Sequence, residues 1–365
     1  MGAASTGAAQ WLFPVSALLE QSPSRTTSSI PVERELYDRA RGVEFLFRLG
    51  VSLILPISSL YTAATWFHRF YMRYSLEDYH RQDVAAACVF LATKTEECGR
   101  KLRDVARVYC SKVWGRKTEE IADDSQELEE SQTAILLIEE ILLEALCFDF
   151  VVRSPHADLV DLLEARQESN EFEEYAFTIA NDSYRTPLCI LHPPHVIAVA
   201  CYVLAQQYVD GEDAPDLTTR LASPAPSASL PTPPSNKPPH TESMRFAVDF
   251  YNMNETELSA VAEALTILLE FYAAQDVSSM EYLSSLAAVP PPETPSARQK
   301  LYQSFSQLAQ SSHKATEPGS EADTTSSAPS QPTQPSERSP NKGRGWIPVQ
   351  NDAEKDPSEK PTWQI

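Results

Sequence analysis

Three observations in the amino-acid sequence predict an all-α chain built from two tandem five-helix bundles. Apolar residues recur at helical spacing, two stretches are apolar on every side, and strand signals are nearly absent between Pro31 and Ala274. From Ile57 the apolar positions Leu60, Tyr61, Ala64, Phe67 and Tyr71 follow the i, i+3, i+4, i+7 pattern of one helix face. The run Val84-Ala-Ala-Ala-Cys-Val-Phe-Leu-Ala92 has no polar side, and its alanines permit close approach of neighbours, so it belongs at the centre of a bundle. From Glu127 to Phe148 a longer helix turns Ile135, Ile138, Ile141, Leu142 and Leu146 inward, with Glu130, Glu140 and Glu144 outward. Glycine is scarce between Pro31 and Asp210. Gly50, Gly99 and Gly115 fit helix ends, whereas Gly42 sits inside a helix and marks a close contact.

An internal repeat supplies the second bundle. Ala87-Cys-Val-Phe-Leu-Ala92 returns as Ala200-Cys-Tyr-Val-Leu-Ala205, again after a shorter amphipathic helix (Glu171 to Tyr184). A short helix and a long amphipathic one follow each copy, over Glu127 to Phe148 in the first half and Glu255 to Ala273 in the second. The matching order of helices favours duplication over chance.

Proline sets the expected boundaries, because it breaks helix interiors and donates no backbone hydrogen bond. Twenty of the 28 prolines fall in two Ser/Thr-rich segments, eight between Pro215 and Pro239 and twelve between Pro290 and Pro361. The expected organisation is a flexible segment over 1–30, one bundle over 31–150, and a second over 151–275. The second carries a disordered insertion at about 211–243, and a disordered tail runs over 276–365.

With 51 acidic against 30 basic residues the formal charge is −21. No stretch concentrates Lys and Arg, so direct binding to bare nucleic acid is not expected. No apolar run has the length of a membrane span, and Met1 to Gln10 lacks the basic start and apolar centre of a signal sequence, so a soluble intracellular chain is expected. The six cysteines form no C-x-x-C pair and read as reduced, buried thiols. There is no Gly-rich phosphate loop, no kinase catalytic signature and no His/Cys metal spacing, so neither an enzyme nor a bound cofactor is expected. His192-Pro-Pro-His195 reads better as the start of a helix than as a metal site. His68 and His80 have no evident acidic or cysteine partner.

Lys94, at the end of the most buried helix, meets the negative end of that helix's dipole. Its neighbours Glu96 and Glu97 could pair with it. So could Glu139 on the long helix, which would place a charged pair at the edge of an apolar face, suited to an incoming helix. Glu119 to Glu130 is strongly acidic, and reads either as solvated caps and loops or as a docking surface for a basic partner.

These residues resemble the cyclins, in particular transcription-type cyclins such as K, T and L. The resemblance rests on His68-Arg-Phe-Tyr-Met-Arg73 with Ser75, on Ala87-Cys-Val-Phe-Leu-Ala-Thr-Lys-Thr-Glu-Glu97, and on Lys101-Leu-Arg-Asp-Val105. It covers about Val32 to Phe150 strongly and Ser154 to Ala274 weakly, making each bundle a cyclin box. Leu128-Glu-Glu-Ser-Gln132 and Ile138-Glu-Glu-Ile-Leu-Leu-Glu-Ala-Leu-Cys-Phe-Asp149 are similar to the β subunit of the fungal RNA polymerase II C-terminal-domain kinase.

The resemblance implies a nuclear, non-catalytic regulator of a cyclin-dependent serine/threonine kinase acting in RNA polymerase II transcription. A third small subunit is a further candidate partner. It implies that Lys94 and Glu139 hydrogen-bond the kinase's mobile helix, and that Leu91, Leu143 and Phe148 align with apolar positions packing on the same helix. Where many cell-cycle cyclins carry a Met-Arg-Ala-Ile-Leu docking patch, this chain has Asp38-Arg-Ala-Arg-Gly42, which removes the apolar pair and favours a transcriptional role. The alternatives are a cyclin L-like regulator acting in splicing, a non-kinase scaffold, and a TFIIB-like factor. The first would normally bring an Arg/Ser-rich tail and the last a basic face.

Overall fold

The computed structural model describes residues 11–211, 214–221, 245–276, 281–292 and 299–314, and among them there is helix and no strand. Two short N-terminal helices, α1 (Val15–Glu20) and α2 (Pro23–Thr26), lead into the first bundle. It comprises α3 (Val32–Ser52), α4 (Ile57–Phe70), α5 (Arg81–Thr95), α6 (Leu102–Trp114) and α7 (Gln126–Ala145). The second contains α8 (Pro155–Arg166), α9 (Asn170–Ser183), the single-turn α10 (Leu188–Leu191), α11 (Pro194–Asp210), α12 (Leu217–Leu221), α13 (Phe246–Phe250) and α14 (Glu255–Ala274). Two more helices follow, α15 (Glu281–Ala288) and α16 (Phe305–Lys314).

The starts of these helices are written in the sequence. Ser125, Ser154 and Ser169 each accept a backbone N–H of the first turn, and Asn254 with Glu257 forms a reciprocal capping box. Pro155 and Pro194 occupy the first helical position, where the missing N–H costs nothing.

The two all-apolar stretches are the hubs. Val84 to Ala92 of α5 and Val196 to Ala205 of α11 are buried throughout, each surrounded by the other helices of its bundle. Gly42 is the predicted close contact: a Cβ there would lie 2.2 Å from Cζ of Phe67, so α3 and α4 touch where no side chain fits.

Beneath that contact lies a buried ionic network. Arg39, fully buried, donates to Glu35 at 2.8 Å and to the carbonyls of His68 (2.9 Å) and Tyr71 (2.8 Å). Ser22 and Arg25 donate to the other oxygen of Glu35, at 2.8 and 3.0 Å. Every charge is paired, as burial demands.

A stack of rings joins the bundles. Tyr61 of α4 lies 4.0 Å from the ring of His156 and 4.9 Å from that of Tyr184. Tyr61 Oη donates to Asn181 Oδ1 at 2.5 Å, and His68 Nε2 sits 2.9 Å from the Tyr184 carbonyl. Burial holds the imidazole of His156 down to about 4, an effect its Asn181 hydrogen bond only partly offsets, and pushes that of His68 down to about 3.

The folded region is larger than the sequence boundaries suggest. Over 11–30, where a flexible segment is expected, Leu18 is fully buried in the second core and α2 is tied down by Glu35. Within the expected insertion, α12 buries Leu217, Arg220 and Leu221. Within the expected tail, Leu286, Leu301 and Tyr302 are buried, and Phe305 packs edge-on against Tyr37 at 5.1 Å. In each case a few well-spaced apolar residues offset the polar composition around them. The remaining parts of these three segments, 1–10, 212–213, 222–244, 277–280, 293–298 and 315–365, lie outside the described residues. So do the proline-directed dipeptides Ser223-Pro224, Thr232-Pro233, Thr294-Pro295 and Ser339-Pro340. Among the described residues, no helix is long and apolar enough to cross a membrane.

Candidate functional site: a charged pair on an open helical edge

At the C-terminal end of α5 the Lys94 ammonium donates to both carboxylate oxygens of Glu139 on α7, at 2.6 and 2.8 Å. The pair bridges the two helices that pack most extensively in this bundle. Its partners differ in environment: the Lys94 side chain is 48% exposed and that of Glu139 only 8%. Below them the ring of Phe90 sits 4.1 Å from Lys94 Nζ, adding a cation–π contact on the buried side. Glu96, a rival partner by sequence, is engaged elsewhere, accepting the Thr62 hydroxyl at 2.9 Å.

The three apolar candidates separate. Leu91 is buried in the first core, where it supports α5 from within. Leu143 is half-buried one turn beyond Glu139 on the same face of α7. Phe148 is 65% exposed. The helix predicted to reach Phe148 stops at Ala145, because Cys147 and Phe148 both adopt left-handed backbone, at φ 52° and 57°. The Phe148 N–H then bonds back to the Leu143 carbonyl at 3.1 Å, a Schellman-type closure that turns the Phe148 ring outward.

Leu136 of α7, missed by sequence reasoning, extends this edge and is 45% exposed, whereas Leu137, 56% exposed, lies on the far side of the same helix. Leu136 precedes Glu139 by three residues and Leu143 by seven, so the periodicity that marks a face could have found it. Trp11 has no such signal. Its indole N–H reaches Asp149 at 3.0 Å and its ring lies over Arg69 and Arg73, holding the first described residues against the loop after α7.

Other candidates are taken up locally. His192 and His195 face different carboxylates, Glu263 at 3.6 Å and Glu257 at 3.2 Å, so the two imidazoles do not converge. In the acidic run, Asp123 pairs with Arg107 and Glu127 with Arg116 at 3.3 Å, while Glu127 and Glu129 lie in the favourable first turn of α7. At the Asp38 to Gly42 stretch, Asp38 pairs with Arg34 and Arg81, and Arg41 with Glu44. All six cysteines are free thiols, and Cys147 is exposed, unlike the buried set expected.

Residues 16–151 match the family model described as "Cyclin, N-terminal domain". The chain is 38% identical over 203 residues to Cyclin pch1 of Schizosaccharomyces pombe, covering 55% of this chain and 58% of that protein. It is 34% identical to Cyclin-T1-4 of Arabidopsis thaliana (55% of this chain, 38% of that one). With Cyclin-K of Homo sapiens it shares 31% (51% and 32%). The matched region thus spans little more than half of the first of these relatives and less of the others. A chain of the yeast RNA Pol II CTD kinase CTDK-1 complex overlays with a TM-score of 0.48 at 16% identity, covering 87% of this chain and 89% of that one. By sequence, residues 16–151 are similar to the cyclin N-terminal domain, and the matched region of the chain is similar to cyclins of Schizosaccharomyces pombe, Arabidopsis thaliana and Homo sapiens.

Proposed function

We propose that this chain is a regulatory, non-catalytic subunit that binds and activates a cyclin-dependent serine/threonine kinase acting in RNA polymerase II transcription, with the polymerase C-terminal domain as substrate and the nucleus as its place of action. The observation that carries the reading is the Lys94–Glu139 pair, half-open to solvent beside exposed apolar side chains. A protein kinase holds ATP productively only when its strand lysine pairs with a glutamate on its mobile helix. An apolar edge that fits this helix in its inward position alone shifts the population toward the active state.

The magnitudes are adequate. Moving an equilibrium from about 1:99 to about 99:1 needs about 5.5 kcal/mol of differential affinity. Burying roughly 220 Å² of additional apolar area at about 25 cal/mol per Å² supplies that before ordering costs. In this reading Lys94 and Glu139 present their remaining donor and acceptor capacity to the kinase helix and the loop beside it. Leu143 and Phe148 supply contact area, Leu91 backs them from the core, and the second bundle serves as a second cyclin box. The acidic run seats a third small subunit.

The test is a tagged pull-down comparing wild type with Lys94→Ala plus Glu139→Ala, the eluates being assayed on a polymerase C-terminal-domain peptide. A co-purifying kinase whose activity falls with the double substitution supports the activator. Recovery of no kinase from either protein overturns it, and leaves the scaffold or a TFIIB-like DNA-binding role as the next to test. A kinase with activity on splicing factors instead would identify the cyclin L-like alternative.

A further inference from the structure

Away from the Lys94 edge, the C-terminal halves of α3 and α6 leave an open cleft of 560 Å³ between them and the turn that follows α6. Four cations line it, Arg48, Lys112, Arg116 and Lys117, against a single carboxylate, Glu119. In a chain of net charge −21 this is a local inversion of sign. Arg116 is engaged with Glu127 and with the Trp114 ring, and Lys117 faces Glu119. Arg48 and Lys112, by contrast, have no carboxylate partner among the described residues. Burial first, and the neighbouring Arg48 guanidinium second, hold the Lys112 ammonium below the usual lysine range. Two cations set against each other with no anion between them is the arrangement a bound anion would relieve.

The rim indicates what carries the anion. Val51 and Ser52 follow Arg48 at i+3 and i+4, on neighbouring positions of the α3 surface. Val51 is 49% exposed, and Ile54 in the next turn is 82% exposed with φ 52°, a conformation that a β-branched residue avoids. Arg100 holds that turn in place, donating to the carbonyls of Leu53 and Ile54, both at 2.9 Å. A basic cleft thus opens beside a pinned apolar prominence. We propose that this cleft binds a phosphorylated serine or threonine carried on an otherwise uncharged protein segment, with Arg48 and Lys112 on the phosphate and Val51 and Ile54 against an adjoining apolar residue.

A polynucleotide fits less well, since its regularly spaced charges would run from four cations into acidic surroundings. The phosphate dianion of one modified residue is matched by the two unpaired cations. Nothing in this site requires the kinase-binding reading to hold.

The experiment is fluorescence anisotropy on the full chain with a labelled, neutral decapeptide bearing phosphoserine-proline-leucine. Its unphosphorylated twin, inorganic phosphate and a single-stranded RNA decamer serve as competitors. We expect the phosphopeptide to bind at least about tenfold more tightly than its twin, with weakening as salt rises. Arg48→Glu plus Lys112→Glu should remove that preference, while Arg48→Lys plus Lys112→Arg keeps it and Ile54→Ser weakens binding about threefold. No binding, equal binding of the twin, full displacement by equimolar inorganic phosphate, or tighter binding of RNA would each overturn the proposal. The exposed position of Arg48 and half-exposed position of Lys112 leave the fold intact in the variants, which circular dichroism checks.

Discussion

The ends of the two hub helices, α5 and α11, present the same scaffold put to opposite uses. In register with the repeated Ala-Cys motif, the place of Lys94 on α5 is taken on α11 by Gln207. Lys94 is half-exposed and tied to a carboxylate on another long helix of its bundle. Gln207 instead accepts from Arg220 of α12 at 2.9 Å, and Arg220 also reaches Asp210 at 2.5 Å. Arg220 is fully buried, with Leu217 and Leu221 packed beside it. One edge is left open and charged, and the other is closed by an added short helix. A few residues of α12 close the second edge, and the first has no such cover among the described residues.

Reversing the charges gives the largest expected effect. Lys94→Glu or Glu139→Lys alone should reduce recovered kinase activity about a hundredfold or more, in line with about 2–5 kcal/mol for removing one member of a charge pair that the bound kinase helix covers. Combining the two reversals should restore part of it, whereas Gln207→Lys on the closed edge should leave kinase recovery unchanged. Loss of kinase with Gln207→Lys would erase the distinction between the edges. Arg220→Ala should cost about 3 kcal/mol of stability, because it empties a buried site and strands Gln207, and should lower the melting temperature by several degrees without affecting kinase recovery.

The ring stack between the bundles predicts a pH dependence. The His156 imidazole titrates near 4 when folded, below its unfolded value of about 6.5, so the unfolded chain takes up the proton first as pH falls. Its contribution is present in full above about 6.5 and is lost toward 4, amounting to about 2 kcal/mol between pH 7 and 5. Denaturant titrations at both pH values should show that loss shrinking by this amount in His156→Phe. Carboxylates held up by burial, such as Asp182, act in the opposite sense, which is why the variant and not the wild-type slope is diagnostic. Smallest is Gly42→Ala, expected to cost about 1–2 kcal/mol because its Cβ meets the ring edge of Phe67, measured as a lowered melting temperature.

Much of this arrangement was legible from periodicity. The hubs α5 and α11, the long α7 and the tight spot at Gly42 follow from apolar spacing and from glycine's lack of a side chain. The Lys94–Glu139 pair was legible as one of several pairings, because a charge next to a buried face has few places to go. What escaped depends on contacts distant in sequence. Leu18, α12 and the Leu301–Phe305 segment bury themselves against helices far along the chain, and local composition, dominated by Ser and Pro, carries no trace of those partners. The outward turn of Phe148 was hidden for a different reason, since left-handed backbone at two non-glycine residues is set by the closure to Leu143 and has no propensity signature.

The two hydrophobic cores draw on the chain very differently. Described members of the first come from 43–184, a nearly continuous stretch, whereas the second gathers Leu18, Leu36 and Ala40 from near the beginning and Leu301, Tyr302 and Phe305 from beyond residue 300. During synthesis, which delivers about 5–20 residues each second, the first bundle has every buried member of its core soon after residue 184 emerges, while the second must wait roughly 6–24 seconds more for its last ones. In that interval the nascent protein holds an assembled Lys94 edge next to an unfinished neighbour, so chaperones should be needed chiefly for the later half.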